Sequence, residues 1–211
     1  QAEGAKRAAE QRARDWPNLC RYRQANAALK RHPRAVFMGD SITENWAVAD
    51  PELFGGDFVG RGISGQTSPQ MLLRFRSDVV DLHPRVVHIL AGTNDLAGNT
   101  GPTTEADFKA TIESMVEIAK AHRIQVALGS IPPAATFPWA ARFRPTAQIR
   151  RLNSWMRTYA ARNGLLYVNY FDALATPDGA FWPELSNDGV HPNLTGYAIM
   201  RKLALQTLGR R

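Results

Sequence analysis

The sequence predicts one α/β domain in which a parallel five-stranded sheet lies between two layers of helices. Short apolar runs recur along the chain, and segments of ten or more residues with helical periodicity separate them. This alternation is typical of a parallel sheet with crossover helices. A length of 211 residues suits one domain with a sizeable core. For five strands we predict the flavodoxin-like order 2-1-3-4-5, a three-layer α/β/α sandwich.

Five short, mostly apolar segments are predicted to form the strands. His88 is the polar exception inside the third of them, and we interpret it as a core or crevice histidine. Turn residues follow several of these segments, with Gly39 after the first and Gly92 after the third. The predicted strands cover residues 36–38, 58–60, 86–90, 125–128 and 166–170.

The helices are predicted from apolar residues at i, i+4 and i+7 and from capping residues. Phe108, Ile112 and Met115 illustrate the spacing in the longest of them. Ser68 as N-cap with Pro69 at the first helical position is a typical helix start. The predicted helices run over about 3–15, 16–29 with Asp15 as cap, 68–82, 104–122, 147–162 and 194–208.

The net charge of +7 is concentrated at the start of the chain. Residues 1–34 hold nine Lys or Arg and three Asp or Glu, so they supply +6 of it. Few aromatic side chains accompany these charges, which disfavours nucleic-acid binding and favours a solvated helix face. We therefore predict a basic helical extension over residues 1–34 and a main domain over 35–211.

Cys20 is the single cysteine, so no intrachain disulfide and no cysteine-based metal site can form. We expect neither a metal nor another cofactor. No apolar run approaches the roughly 20 residues of a membrane span. The chain opens on Gln1 rather than Met, which favours a periplasmic or secreted location over a cytoplasmic one.

The residues Gly39-Asp40-Ser41 end the first predicted strand in a sharp turn. Open α/β sheets bind ligands at the carboxyl ends of strands, at the point where the strand order reverses. Ser41 follows strand one and Asn94 follows strand three, so we expect them to face each other across that crevice. Taken alone, Ser41 could also be an ordinary helix cap, and Asn94 could cap a helix through an Asx turn.

Serine attack on an acyl group needs a nucleophile, a general base, a group that orients the base, and donors for the oxyanion. Ser41 could be the nucleophile, His191 the base and Asp188 the orienting group. The Ser41 amide, the Gly65 amide and the Asn94 side chain could form the oxyanion hole. Asp188 and His191 could instead be a surface turn pair, and Gly65 could be only a flexible turn.

In combination these segments resemble the GDSL, or SGNH, hydrolase family. The matching blocks are Gly39-Asp40-Ser41, Ile63-Ser64-Gly65-Gln66-Thr67, Gly92-Thr93-Asn94-Asp95 and Asp188-Gly189-Val190-His191-Pro192. The resemblance implies a metal-independent serine esterase or acyl hydrolase, with the family's roles on Ser41, Gly65, Asn94, Asp188 and His191. Gly65 is preferred to Gly60 and Gly62 as the second-block donor because it precedes Gln-Thr-Ser.

The chain is also similar to compact bacterial relatives of the platelet-activating-factor acetylhydrolase catalytic subunit, which implies a preference for short acyl groups. We therefore expect a carbohydrate O-acetylesterase, with a small-molecule or carbohydrate ester as its partner. The alternatives are a lysophospholipase, an acyl thioesterase, or a non-enzymatic α/β binding domain. Asp40, Trp46, Trp139 and Trp182 are the expected substrate contacts, since flat aromatic rings suit sugar and acyl groups.

Overall fold

In the computed structural model, which describes residue 10 and residues 13–209, the strands form one parallel sheet in the order β2-β1-β3-β4-β5. The predicted order is thereby confirmed. Gly39 pairs with Gly62 on one side and with Leu90 on the other. The carboxyl ends of β1, β2 and β3 therefore meet at one edge. The strands are β1 Ala35–Gly39, β2 Phe58–Gly62, β3 Val86–Leu90, β4 Gln125–Gly129 and β5 Leu166–Val168.

Helices connect the strands and cover both faces of the sheet, and short 3-10 helices occupy Val80–Leu82 and Pro183–Leu185. The fifth strand ends two residues before its predicted end, because Asn169 caps the next helix through a bond from the Asp172 amide. The α-helices are α1 Arg23–Ala27, α2 Ser41–Ala49, α3 Pro51–Phe54, α4 Ser68–Asp78, α5 Thr93–Leu96, α6 Glu105–Ala121, α7 Thr146–Asn163, α8 Tyr170–Leu174 and α9 Leu194–Leu208.

Alternating strand residues supply two separate cores, one on each face of the sheet. Val36 and Met38 of β1 belong to the core under α4, α6 and α7. Ala35 and Phe37 belong to the core under α2 and α9. Successive side chains of a strand point to opposite faces, so one buried strand serves both layers of the sandwich.

His88 lies in the second of these cores, as predicted from its place in an apolar strand. It is fully buried, its Nε2 lies 2.9 Å from the Tyr170 hydroxyl, and its ring packs on Phe37 at 4.7 Å. Burial lowers the pKa of His88 to about 3, because desolvation disfavours the charged ring. His88 is therefore a neutral core residue, packed between Phe37 and Tyr170.

The start of the described chain differs from the prediction. The predicted helix over 16–29 is wrong: turns continue to residue 22, and α1 covers only Arg23–Ala27. Asn18 has a φ of 56°, a left-handed conformation that interrupts a helix. The predicted helix over 3–15 lies almost entirely outside the described residues. No described helix has both the length and the apolarity to span a membrane.

Candidate active site

The turn after β1 places Ser41 at the first position of α2. Asp40 is the N-cap, and its carboxylate accepts a hydrogen bond of 2.9 Å from the Ile42 amide. The turn requires glycine at 39, because a Cβ there would lie 2.1 Å from Thr43 Oγ1. The Ser41 side chain is thus presented at the carboxyl edge of the sheet, at the N-terminus of a nine-residue helix.

Ser41, His191 and Asp188 form a continuous hydrogen-bonded chain. Ser41 Oγ lies 2.9 Å from His191 Nε2, and His191 Nδ1 lies 2.7 Å from Asp188 Oδ2. A carboxylate accepts, so Nδ1 carries the proton and Nε2 is left to accept from the serine hydroxyl. This is the arrangement in which an imidazole can remove a serine proton.

Asp188 remains ionised and is held by its own loop. Its Oδ1 accepts from the amides of Val190 at 2.9 Å and His191 at 2.8 Å. Burial raises the pKa of this carboxyl, but the hydrogen bonds from the His191 side chain and from these amides outweigh burial and lower the pKa to about 2. The same loop is fixed by Ser186, whose hydroxyl donates to the His191 carbonyl at 2.7 Å.

The predicted oxyanion donors surround Ser41. Asn94 Nδ2 donates to Asp40 Oδ2 at 3.2 Å and to the Gln66 carbonyl at 3.0 Å, so it bridges the neighbours of Ser41 and Gly65. Within the described chain, the amides of Ser41 and Gly65 have no hydrogen-bond acceptor. Gly65 has a φ of 77°, which glycine adopts readily. An oxyanion would replace one of the two acceptors of Asn94.

Two of the predicted substrate contacts are wrong, because their side chains are buried. Asp40 is 1% exposed and its carboxylate already holds Ile42 and Asn94, so it supports the site from beneath. Burial raises the pKa of Asp40 to about 7, against the lowering effects of the Ile42 amide bond and the His191 charge. A carboxyl in this position orients the Asn94 amide rather than a substrate.

Trp46 is the second correction. Its side chain is fully buried, stacked on Tyr197 at 5.9 Å and edge-on to Phe37 at 5.5 Å. It shares the inward face of α2 with Ile42 and Thr43, so helical spacing turns it into the core. Trp46 cannot contact a substrate in this fold.

The two remaining tryptophans are exposed, but only one of them stands beside the triad. Trp139 is 47% exposed, its ring centroid lies 6.4 Å from that of His191, and its Nε1 donates to Asn99 Oδ1 at 3.1 Å. Trp182 is 42% exposed and precedes the 3-10 helix Pro183–Leu185. Among the described residues, Trp182 makes no hydrogen bond to a residue of the triad.

Sequence reasoning missed a buried arginine beneath the site. Arg74 of α4 is fully buried, donates to the Gly39 carbonyl at 2.9 Å and to Gln66 Oε1 at 2.6 Å, and pairs with Asp78 at 3.0 Å. It therefore connects the turn before Ser41 to the loop that carries Gly65. Nothing in its sequence context distinguishes Arg74 from an exposed helical arginine.

A second missed contact ties the loop after β3 to the start of α4. Asp95 accepts hydrogen bonds from the Ser68 amide and hydroxyl, and burial raises the pKa of Asp95. Ser68 was predicted as the cap of α4, but Thr67 is the N-cap and Ser68 is the first helical residue. No group of three or more metal-ligating side chains converges within the described residues.

Comparisons with known proteins show the family and the fold of this chain. A crystal structure of a GDSL-like lipase from Bacteroides thetaiotaomicron is 44% identical, covers 91% of this chain and 97% of its own, and superposes with a TM-score of 0.88. An assigned acylhydrolase from Bacteroides fragilis is 43% identical over 92% of this chain and 97% of its own, with a TM-score of 0.89.

A curated relative matches over a shorter stretch. The uncharacterized lipoprotein YqeF of Bacillus subtilis is 32% identical over 80 residues, which are 36% of this chain and 33% of that protein. The model of the GDSL-like lipase/acylhydrolase family matches residues 37–199, a range that includes Ser41, Asn94 and the Asp188-to-His191 loop. The chain therefore belongs to the GDSL-like lipase/acylhydrolase family.

Proposed function

We propose that this chain hydrolyses short-acyl esters, with acetylated carbohydrates as the substrate class, through an acyl-enzyme on Ser41. The observation that supports this most strongly is the continuous chain from Ser41 through His191 to Asp188. A nucleophile, a base and an orienting carboxylate in hydrogen-bond contact are what acyl transfer to a serine requires.

In the proposed reaction, Ser41 Oγ attacks the ester carbonyl while His191 Nε2 takes the hydroxyl proton. The tetrahedral intermediate collapses, the alcohol leaves with that proton, and the acyl group stays on Ser41. Water then attacks the acyl-enzyme with His191 again as base, which releases the acid and restores the serine. Asp188 keeps the proton on Nδ1 and stabilises the imidazolium that forms in each step.

The oxyanion would be bound by the amides of Ser41 and Gly65 and by the Asn94 side chain. The unpaired Ser41 amide at the helix N-terminus favours negative charge there. Each such donor is typically worth about 3–4 kcal/mol in the transition state. Asp40, by accepting from Asn94 Nδ2, would hold that amide in place for the oxyanion.

The substrate class is argued from Trp139 and from the resemblance to relatives that prefer short acyl groups. The alcohol part of an ester must lie near His191, which protonates it. The exposed ring of Trp139 lies 6.4 Å from the His191 ring, and an aromatic face suits the apolar face of a sugar ring. An exported location is part of the proposal, and cell fractionation of the source organism tests it.

The test is a substrate panel on the wild type and on Ser41→Ala. We expect faster hydrolysis of p-nitrophenyl acetate than of its octanoate, hydrolysis of acetylated sugars, and a loss of at least about 10³-fold in Ser41→Ala. Wild-type activity in Ser41→Ala would refute the mechanism. A preference for acyl chains of eight or more carbons, for lysophospholipids or for acyl-CoA would refute the substrate class and leave the mechanism in place.

A further inference from the structure

A cavity of about 300 Å³ lies beside Gly65 and is not explained by the triad. Trp16 and the neighbouring Asp15 and Asn18 line one side of it, and the loop of Gly65 lines another. Asn99 and Thr100 complete the lining. Its size is at the lower end of the range for small-molecule sites. The segment before α1 thus supplies a wall of a cavity next to a predicted oxyanion donor.

This wall is fixed by two buried glutamines. Gln66 Nε2 donates to the Pro17 carbonyl and Gln70 Nε2 donates to the Trp16 carbonyl, each at 2.7 Å. Both glutamines are 3% exposed, so both bonds are made inside the protein, where a lost partner is costly. The two glutamine side chains therefore fix the backbone at Trp16.

The Trp16 ring, in contrast, is 41% exposed. Within the described chain it packs on no other aromatic ring, and the Asn18 side-chain amide has no hydrogen-bond partner. A flat apolar ring on a fixed backbone, beside a side-chain amide that is free to donate and accept, can bind a hydroxylated ring.

Asn99 connects the cavity with Asn94 and Trp139. Its Nδ2 donates to Asn94 Oδ1 at 2.6 Å, and its Oδ1 accepts from Trp139 Nε1 at 3.1 Å. Trp139 lies beside His191, which in the proposed reaction protonates the leaving alcohol. A substrate whose alcohol part begins at Trp139 reaches the cavity by passing Asn99.

We propose that this cavity is a second subsite for the alcohol part of the substrate, with Trp16 as its platform. It binds a hydroxylated ring joined to the ring at Trp139, so the preferred substrate is an acetylated oligosaccharide rather than a monosaccharide. This inference rests on the proposed function.

The test compares Trp16→Ala with Leu19→Ala. Leu19 belongs to the same segment and is equally exposed, at 40%, but does not line the cavity. We expect Trp16→Ala to raise KM for an acetylated trisaccharide roughly thirtyfold more than KM for p-nitrophenyl acetate, the size of effect typical of a binding hot spot. Leu19→Ala leaves both values unchanged. An acetylated monosaccharide behaves like p-nitrophenyl acetate.

Gln70→Glu is a second variant that leaves the Trp16 ring intact. It keeps the oxygen that accepts from the Thr67 amide at 3.1 Å but removes the donor to the Trp16 carbonyl. Because glutamate also serves at this capping-box position, α4 remains capped. We expect the same selective rise in KM for the trisaccharide.

Two kinetic outcomes would overturn the inference. An equal loss on all substrates in Trp16→Ala would mean that the segment only supports the Gly65 loop. A changed preference for acyl length, with no effect of saccharide length, would mean that the cavity binds the acyl group.

Failure of the inference is distinguishable from failure of the proposed function. Calorimetric binding of the unacetylated trisaccharide to Ser41→Ala, with and without Trp16→Ala, measures the subsite without catalysis. Binding that Trp16→Ala weakens supports the subsite, and binding that it leaves unchanged overturns it. Full activity of Ser41→Ala refutes the mechanism alone.

Discussion

Replacing Asp188 by Asn is expected to lower kcat/KM by about 10²–10⁴-fold. The side-chain NH₂ of Asn, placed at His191 Nδ1, favours the tautomer with its proton on Nε2, and that tautomer cannot accept from Ser41. Asn could instead turn its oxygen to Nδ1, but it would then lose the bonds that Oδ1 accepts from Val190 and His191. Two such bonds are worth about 2 kcal/mol together.

The lost negative charge adds a second contribution. Opposite charges at about 4 Å interact by about 4 kcal/mol at an effective dielectric constant of 20. The Asp188 side chain is 41% exposed, so solvent screening reduces this interaction to about 2 kcal/mol. Together the two contributions are about 3–5 kcal/mol, and each 1.36 kcal/mol is a factor of ten.

The assay is p-nitrophenyl acetate hydrolysis, with Asp172→Asn as the matched control. Asp172 is an exposed carboxylate that pairs with Arg157 at 3.2 Å, outside the triad. The control should hydrolyse the ester at the wild-type rate. Activity of Asp188→Asn within tenfold of wild type would show that Asp188 does not determine the tautomer of His191.

Four further substitutions test the residues around the site. Folding raises the pKa of Asp40 from 3.8 to about 7. The contribution of Asp40 to the free energy of unfolding is therefore fully present below pH 3.8 and is lost as the pH rises through 7. Asp40→Asn should remove this dependence on pH. The difference in unfolding free energy between wild type and variant, measured by urea unfolding, should therefore change between pH 5 and pH 8, and a constant difference would contradict the raised pKa. Trp46→Ala should destabilise the fold by about 3–5 kcal/mol, whereas Trp139→Ala should raise KM with little change in Tm; thermal melts that show equal losses would contradict the assignment. Arg74→Ala should lower the free energy of unfolding by about 3–5 kcal/mol, because the buried Asp78 carboxylate would lose its cationic partner. An unchanged urea midpoint would contradict that pairing.

The sheet order could be predicted because each strand is a short apolar run and each crossover has a clear helical period. That pattern fixes which segments are strands, and right-handed crossovers then leave few possible orders. The prediction for residues 16–22 is wrong because Pro17 is compatible both with the first turn of a helix and with a turn, and Asn18 adopts the left-handed conformation of a turn. The hydrogen bonds that this segment makes with Gln66 and Gln70 outweigh the helix propensity of its residues.

The positions of Ser41, Asn94, Asp188 and His191 could be predicted because the strand ends and the family motifs agree. Trp46 was misassigned although its spacing of four from Ile42 places both on one helix face, so helical phase could have identified it as core. The network around Arg74 could not be predicted, since burial of an arginine depends on partners distant in sequence.

The most direct test of the central claim is the intact mass of the protein after reaction with a fluorophosphonate ester. We predict a single adduct, located on Ser41 by peptide mapping and absent from Ser41→Ala. An adduct on another residue, or hydrolysis at the wild-type rate by the fully labelled protein, would contradict the claim that Ser41 is the nucleophile.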